Sequence, residues 1–106
     1  MTCWLITRHP GALHWARRQG LTVDRHEDHL DIAEVGSGDI VIGTLPVNLA
    51  AAVNERGARY VHLSLEVPPE LRGQELTADQ LDAIGARLEE YVVTRAETRA
   101  DLGARQ

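Results

Sequence analysis

The sequence contains no phenylalanine, one methionine and a single cysteine, Cys3. Without phenylalanine, and with two tryptophans and two tyrosines, the core has to be built mainly from aliphatic side chains. A lone cysteine excludes an internal disulfide framework, so we expect a reduced, cytoplasmic setting. No apolar run approaches the length that crosses a bilayer, and the N-terminus lacks a signal-peptide pattern, so no membrane attachment is expected.

Lysine is also missing, since all eleven basic residues are arginine, and the formal net charge is −5. An acidic balance argues against binding duplex DNA, which requires a broad basic surface. It is compatible with a small anionic ligand held by a few arginines. The length of 106 residues indicates one domain, which we place at residues 1–93. We expect the polar segment 94–106 to be a flexible tail.

Apolar patterning predicts a small α/β protein, with a mostly parallel sheet flanked by helices. The predicted strands are 3–6, 21–25, 40–42 and 58–65, and the predicted loop between the second and third is 26–35. The predicted helices are 12–19, 47–56, and a final one that follows a capping box of Thr77 and Gln80 and carries Leu81, Ile84, Leu88, Tyr91 and Val92. We expect strands 3–6 and 40–42 to be neighbours, with their crossover helices on opposite faces.

The turn after the first predicted strand carries Thr7, Arg8, His9, Pro10 and Gly11. Pro10 disfavours helical geometry at His9, and Gly11 permits close backbone approach. Anions bind at such strand-to-helix turns because helix N-terminal N–H groups point there. The arginine fork matches phosphate oxygens, and histidine moves protons near neutral pH. The turn therefore predicts a phosphate site; the alternative is that Arg8 pairs with an acidic loop residue and His9 caps the helix.

The ends of two further predicted strands are expected beside this turn, in the crevice beyond the carboxyl ends of the strands. The segment Gly43, Thr44, Leu45 and Pro46 offers backbone N–H groups and a hydroxyl at a second helix start, or is an ordinary turn. The segment 64–66 ends the last predicted strand with Ser64. Arg72, in the irregular loop 67–73, brings another guanidinium if that loop folds over the crevice; otherwise it is a surface arginine.

Several motifs are lacking or weak. No Gly-x-Gly-x-x-Gly pattern and no P-loop lysine occur, which argues against dinucleotide and nucleoside-triphosphate binding. His26 and His29, with Asp24, Glu27 and Asp28 nearby, form a solvated acidic loop rather than a metal site in our interpretation. We therefore expect no metal and no other cofactor.

Five segments, in order, resemble a small family of CRISPR-associated proteins found beside type III systems. The first is Trp4–Ala12, with the pattern Trp-x-x-Thr-Arg-His-Pro-Gly-Ala. The others are Asp24-Arg25 with His29-Leu30, then 38–46, then 57–60 with 62–64, and finally 72–77. The similarity extends from Trp4 to about Tyr91.

The resemblance implies a minimal relative of the CRISPR-associated Rossmann-fold (CARF) sensors. Such proteins resemble ring nucleases, which bind a cyclic oligoadenylate, here expected to be cyclic tetra-adenylate, across a homodimer and linearise it. That reaction would switch off type III CRISPR signalling. Two alternatives stay open: a protein that sequesters the ring without cutting it, and an unrelated α/β protein that binds a mononucleotide or only dimerises.

The proposed chemistry comes from residue type and position. A ribose 2′-hydroxyl attacks the adjacent phosphorus without a metal, Arg8 stabilises the transition state, and His9 is general acid or base. The hydroxyls of Thr7, Thr44 and Ser64 are expected to bind phosphate or ribose oxygens.

Overall fold

The computed structural model describes residues 1–96, so most of the predicted tail 94–106 lies outside the described residues. The strands are β1 Cys3–Ile6, β2 Arg25–Glu27, β3 Ile40–Gly43, β4 Arg59–Ser64 and β5 Arg87–Tyr91. The helices are α1 Pro10–Arg18, α2 Val47–Glu55 and α3 Ala78–Ala83, with short 3₁₀ turns at Ile32–Glu34 and Pro69–Leu71. None of the helices within residues 1–96 combines the length and apolarity needed to cross a bilayer.

The sheet has five strands in the order β2-β1-β3-β4-β5. Strands β1 to β4 are parallel to their neighbours, and β5 pairs antiparallel with β4 at one edge. Because the chain leaves β1 toward one edge and β3 toward the other, the gap beyond their carboxyl ends is a topological switch point. The predicted α/β class, the mostly parallel sheet and the pairing of β1 with β3 are confirmed.

The core has two halves, one on each face of the sheet. Along β1, Cys3 and Leu5 face α1 and α3, while Trp4 and Ile6 face α2. All four side chains are buried, which explains why this strand is continuously apolar. The α1 side also buries Trp15 and the α2 side Tyr60, so large aromatic rings supplement the aliphatic side chains in each half.

The prediction of a strand at 21–25 was wrong, because β2 begins at Arg25. Its position is determined by pairing to β1, where Asp24 donates its N–H to the Cys3 carbonyl and accepts the Cys3 N–H on its carboxylate, both at 2.8 Å. Leu21 and Val23 are apolar because they pack against the core beside α1, not because they pair in the sheet. The predicted loop 26–35 was correspondingly wrong at its first two residues.

The prediction of a single final helix was also wrong. Helix α3 does begin at the predicted capping box, but it ends at Ala83. Gly85 has a φ of 76°, and its N–H donates to the Asp82 carbonyl while that of Ala86 donates to the Leu81 carbonyl. This is the hydrogen-bond pattern of a glycine-terminated helix. The chain then reverses into β5.

Candidate functional site

A cavity of about 650 Å³ opens at the switch point. Its polar wall comes from the turn after β1, the segment after β3, the loop after β2 and strand β4; these residues are Thr7, Arg8, His9, Asp28, His29, Thr44 and His62. Its apolar wall includes Leu45, Pro46, Leu49, Leu65 and Val67. The volume lies within the range usual for small-molecule sites, and the lining combines apolar side chains with a few polar ones, as such sites do.

Arg8 and His9 line this cavity together. Arg8 is exposed and forms no ion pair with any residue of the described part of the chain. The His9 side chain does not cap α1; its Nδ1 instead accepts the backbone N–H of Leu76 at 3.3 Å. Within residues 1–96, neither of the alternative roles considered for these two side chains is therefore observed.

The hydrogen bond from the Leu76 N–H to Nδ1 determines which nitrogen of the neutral His9 ring carries the proton. A nitrogen that accepts a hydrogen bond carries no proton, so the neutral ring is protonated at Nε2. His9 therefore presents an N–H donor through its second nitrogen. A general-base role would require a lone pair at Nε2, which this tautomer does not have.

The three predicted hydroxyl ligands differ in placement. Thr7 Oγ1 accepts the N–H of His9 at 3.1 Å, which leaves its own proton available to a ligand. Thr44 Oγ1 donates to the Leu63 carbonyl at 3.0 Å, so it can only accept. Ser64 donates to the Glu89 carboxylate and does not line the cavity. The bond from Ser64 also holds the pKa of Glu89 below its usual range, with a smaller contribution from Arg87.

The two glycines of the predicted site make close contacts within the protein. A side chain at Gly11 would collide with the Leu76 carbonyl and lie 2.7 Å from Thr77 Cα, so this glycine lets the segment before α3 pack on α1. A side chain at Gly43 would lie 2.7 Å from the Ile6 carbonyl. Pro10 occupies the first turn of α1, and no side chain within residues 1–96 caps the N-terminus of α1 or α2 with a hydrogen bond.

A second cavity, of about 460 Å³, adjoins the first and shares lining residues of the turn with it. Arg8 and His9 line both cavities. Arg72 lines the second one, where its Nε donates to the Val67 carbonyl at 3.2 Å. The loop 67–73 thus brings Arg72 beside the turn. Arg72 lies in the second cavity and does not line the main one.

The sequence analysis did not single out Tyr60, His62 or the loop after β2 as site residues. The Tyr60 hydroxyl lies 2.6 Å from His62 Nδ1, and His62 lines the main cavity. Burial raises the pKa of Tyr60. Alternation along β4 places Tyr60, His62 and Ser64 on one face, so the pattern alone contained a sign of this cluster. Asp28 and His29 reach the cavity because β2 is the neighbour of β1.

Residues 1–96 contain no group of three or more His, Cys, Asp or Glu side chains arranged to hold a metal ion. Asp24, in particular, is committed to the Cys3 N–H, and His26 lies 3.2 Å from the Thr7 carbonyl.

A family model described as "Putative CRISPR-associated protein (Cas_VVA1548)" matches residues 4–94. The chain belongs to this family. Within residues 1–96, the match covers all three helices, all five strands except Cys3 at the start of β1, and every residue of the candidate site. Comparisons with curated proteins and with solved structures gave no match. The family description establishes an association with CRISPR systems. Within the α/β fold, the switch-point cavity is the candidate ligand site.

Proposed function

We propose that the protein binds a cyclic oligoadenylate and linearises it, ending a signal of type III CRISPR defence. The observation that carries the proposal is that Arg8 and His9 lie together on the β1–α1 turn and line the switch-point cavity. An arginine without a carboxylate partner among residues 1–96 is suited to bind phosphate. Membership of a CRISPR-associated family makes a cyclic RNA messenger a reasonable ligand class.

The two adjoining cavities that share Arg8 and His9 support a ligand longer than one nucleotide. A phosphate at the turn would join one nucleotide in the main cavity to a second beside Arg72. The uncapped first-turn N–H groups of α1 and α2 add favourable positive potential for phosphates. A ring with an even number of nucleotides would fit a two-fold homodimer, in which each protomer contributes one such turn.

The reaction that we propose is attack of a ribose 2′-oxygen on the adjacent phosphorus, with departure of the 5′-oxygen. The site would hold these three atoms in line, and orientation of this kind contributes several kcal/mol to rate enhancement. Arg8 would stabilise the charge on the phosphoryl oxygens. Through Nε2–H, His9 would donate a hydrogen bond to the same group. The products are a linear strand with a 2′,3′-cyclic phosphate and a 5′-hydroxyl.

Sequestration without cleavage is the second candidate. The observation in its favour is the bond from Leu76 to His9, because it makes His9 a donor to the phosphate rather than a base. With His9 as a donor and no general base, the site would bind a ring and leave it intact.

The deciding experiment is incubation of excess protein with cyclic tri-, tetra- and hexa-adenylate in the presence of a chelator, with products separated by chromatography. We expect conversion of cyclic tetra-adenylate to linear products with a cyclic phosphate end. Recovery of intact ring together with an increased protein melting temperature would favour sequestration. Intact rings and an unchanged melting temperature would contradict both functions.

A further inference from the structure

The hydrogen bonds of the Tyr60 hydroxyl determine the proton position on His62. This oxygen has three polar neighbours: the Leu45 N–H at 3.0 Å, the Gly43 carbonyl at 3.1 Å and His62 Nδ1 at 2.6 Å. The Leu45 N–H only donates and the Gly43 carbonyl only accepts. The single hydroxyl proton therefore satisfies Gly43, and the two lone pairs accept from Leu45 and from Nδ1–H of His62.

The opposite arrangement is less favourable. If Tyr60 donated to His62, its oxygen and the Gly43 carbonyl would face each other at 3.1 Å as two acceptors. Tyr60 is buried, with 2 % of its surface exposed, so such a mismatch would not be relieved by bulk water. The neutral His62 ring is therefore protonated at Nδ1 and carries its lone pair at Nε2.

The main cavity thus contains two histidines in opposite tautomers. His9 offers an N–H donor at Nε2, and His62 offers a lone pair at Nε2. His62 is held on both sides, since the rings of Tyr60 and Tyr91 each meet it edge to face with centroids 5.8 Å away. A fixed ring whose Nε2 lone pair accepts from no donor among residues 1–96 meets the requirement for a general base.

We propose that His62 is the general base of this site and that Tyr60 is its positioning residue. The proposal rests on the proposed function. It identifies the general base, which the reaction described above does not include. His62 Nε2 takes the proton of the attacking 2′-hydroxyl while the O2′–P bond forms. The P–O5′ bond breaks, its electron pair leaves with O5′, and O5′ takes a proton from water. His62 then returns its proton to solvent, so the reaction consumes and releases no net proton.

Several charged and titratable groups lie around His62. From β5 these are Glu89, its cross-strand partner, and Tyr91. From β4 it is Tyr60, and across the cavity they are Arg8, His9, Asp28 and His29. A pH profile therefore reports the coupled group, and its dependence on His62 has to be established by substitution.

The kinetic test compares wild-type protein with His62→Gln, Tyr60→Phe and the matched control His14→Gln. His14 is exposed on α1 and lines neither cavity. Single-turnover cleavage of cyclic tetra-adenylate is measured from pH 5 to 9 in each protein. Binding is measured separately with the all-2′-deoxy ring, which lacks the nucleophile. Circular dichroism and thermal melting confirm that each variant is folded.

For His62→Gln we expect a rate loss of about 10²- to 10⁴-fold and loss of the rise in rate with pH, with ring affinity within a few-fold of wild type. His14→Gln should behave as wild type. Added imidazole should restore part of the rate to His62→Ala and none to Arg8→Ala. A His62→Gln protein that cleaves at the wild-type rate with the wild-type pH profile would overturn the base role and leave the nuclease function standing.

A spectroscopic test does not require cleavage. Two-bond ¹H–¹⁵N couplings distinguish the two neutral tautomers of histidine. We expect His62 to be protonated at Nδ1 and His9 at Nε2, and Tyr60→Phe should shift His62 toward the other tautomer. Protonation of wild-type His62 at Nε2 would overturn the proposal whether or not the protein cuts a ring. Intact rings with wild-type protein under all conditions would instead refute the nuclease function, and the base role with it.

Discussion

Leu76 donates its backbone N–H to Nδ1 of His9 at 3.3 Å, which joins the segment before α3 to the turn after β1. The contact depends on Gly11, since any side chain there would collide with the Leu76 carbonyl. One glycine therefore governs both the packing of α1 against the segment 76–77 and the orientation of the imidazole in the candidate site. Substitutions at this position should affect stability and ligand binding together.

We expect Gly11→Ala to lower the free energy of unfolding by about 1–3 kcal/mol, as overpacking of a close contact does. Ring binding should weaken as well, because His9 loses its orienting bond. Gly36→Ala is the matched control, since the atoms nearest to a methyl group there belong to Asp39, the closest at 3.6 Å, an ordinary contact distance. Urea unfolding and thermal shift with the deoxy ring measure the two effects. Equal stability of the two variants would contradict the packing argument.

Arg8→Ala should reduce the rate of ring linearisation by about 10²- to 10³-fold, the usual loss for one charge-stabilising donor. Arg17→Ala is the control, because Arg17 is exposed in the last turn of α1, away from the β1–α1 turn, and lines neither cavity. Both are measured under single-turnover conditions with cyclic tetra-adenylate. If Arg8→Ala retained the wild-type rate, the guanidinium would have no part in the chemistry.

Stability should depend on pH through Asp39, which is buried with 6 % of its surface exposed. Hydrogen bonds from the Gly36 N–H, the Thr2 N–H and then the Trp4 indole hold the pKa of Asp39 below its usual value, although burial opposes this. A lowered native pKa means that the stabilisation is complete above the unfolded-state pKa, about 3.9, and is lost as pH falls through the native value.

We therefore expect Asp39→Asn to lose about 1–3 kcal/mol of unfolding free energy at pH 7, with the difference from wild type shrinking below about pH 4. Urea unfolding at pH 7, 5 and 3 measures the difference. Glu70→Gln, an exposed carboxylate without an ion pair in residues 1–96, should show no such pattern. A difference between Asp39→Asn and wild type that does not change with pH would argue against the charge as its source.

Gly85→Ala should lower the free energy of unfolding by about 1 kcal/mol, because alanine disfavours the positive φ that ends α3. No atom of residues 1–96 lies within 4 Å of the new methyl group, so the loss is conformational only. Gly85→Asn, which tolerates this conformation better, should lose less. Thermal melting of the two variants measures the order, and a greater loss with asparagine would contradict it.

The sequence by itself determined the elements whose information is local. Continuous apolar runs predicted β1 and β3, because strands covered on both faces have no polar side. Thr77 and Gln80 predicted the start of α3, because a capping box involves only neighbouring residues. The order of strands and helices also predicted the turn at Arg8 and His9 as part of a ligand site, and the structure places both in the switch-point cavity.

Only the tertiary structure decided the features that depend on distant partners. Residues 87–91 follow a helical pattern of apolar positions, yet they pair with β4 because Gly85 ends α3 and turns the chain. The polar residues His26 and Glu27 form a strand because they pair with β1 at an edge of the sheet. The tautomer of His9 depends on Leu76, and that of His62 depends on Tyr60. Tyr60 in turn is held by Gly43 and Leu45. A proton position determined by such distant contacts cannot be predicted from the local sequence pattern.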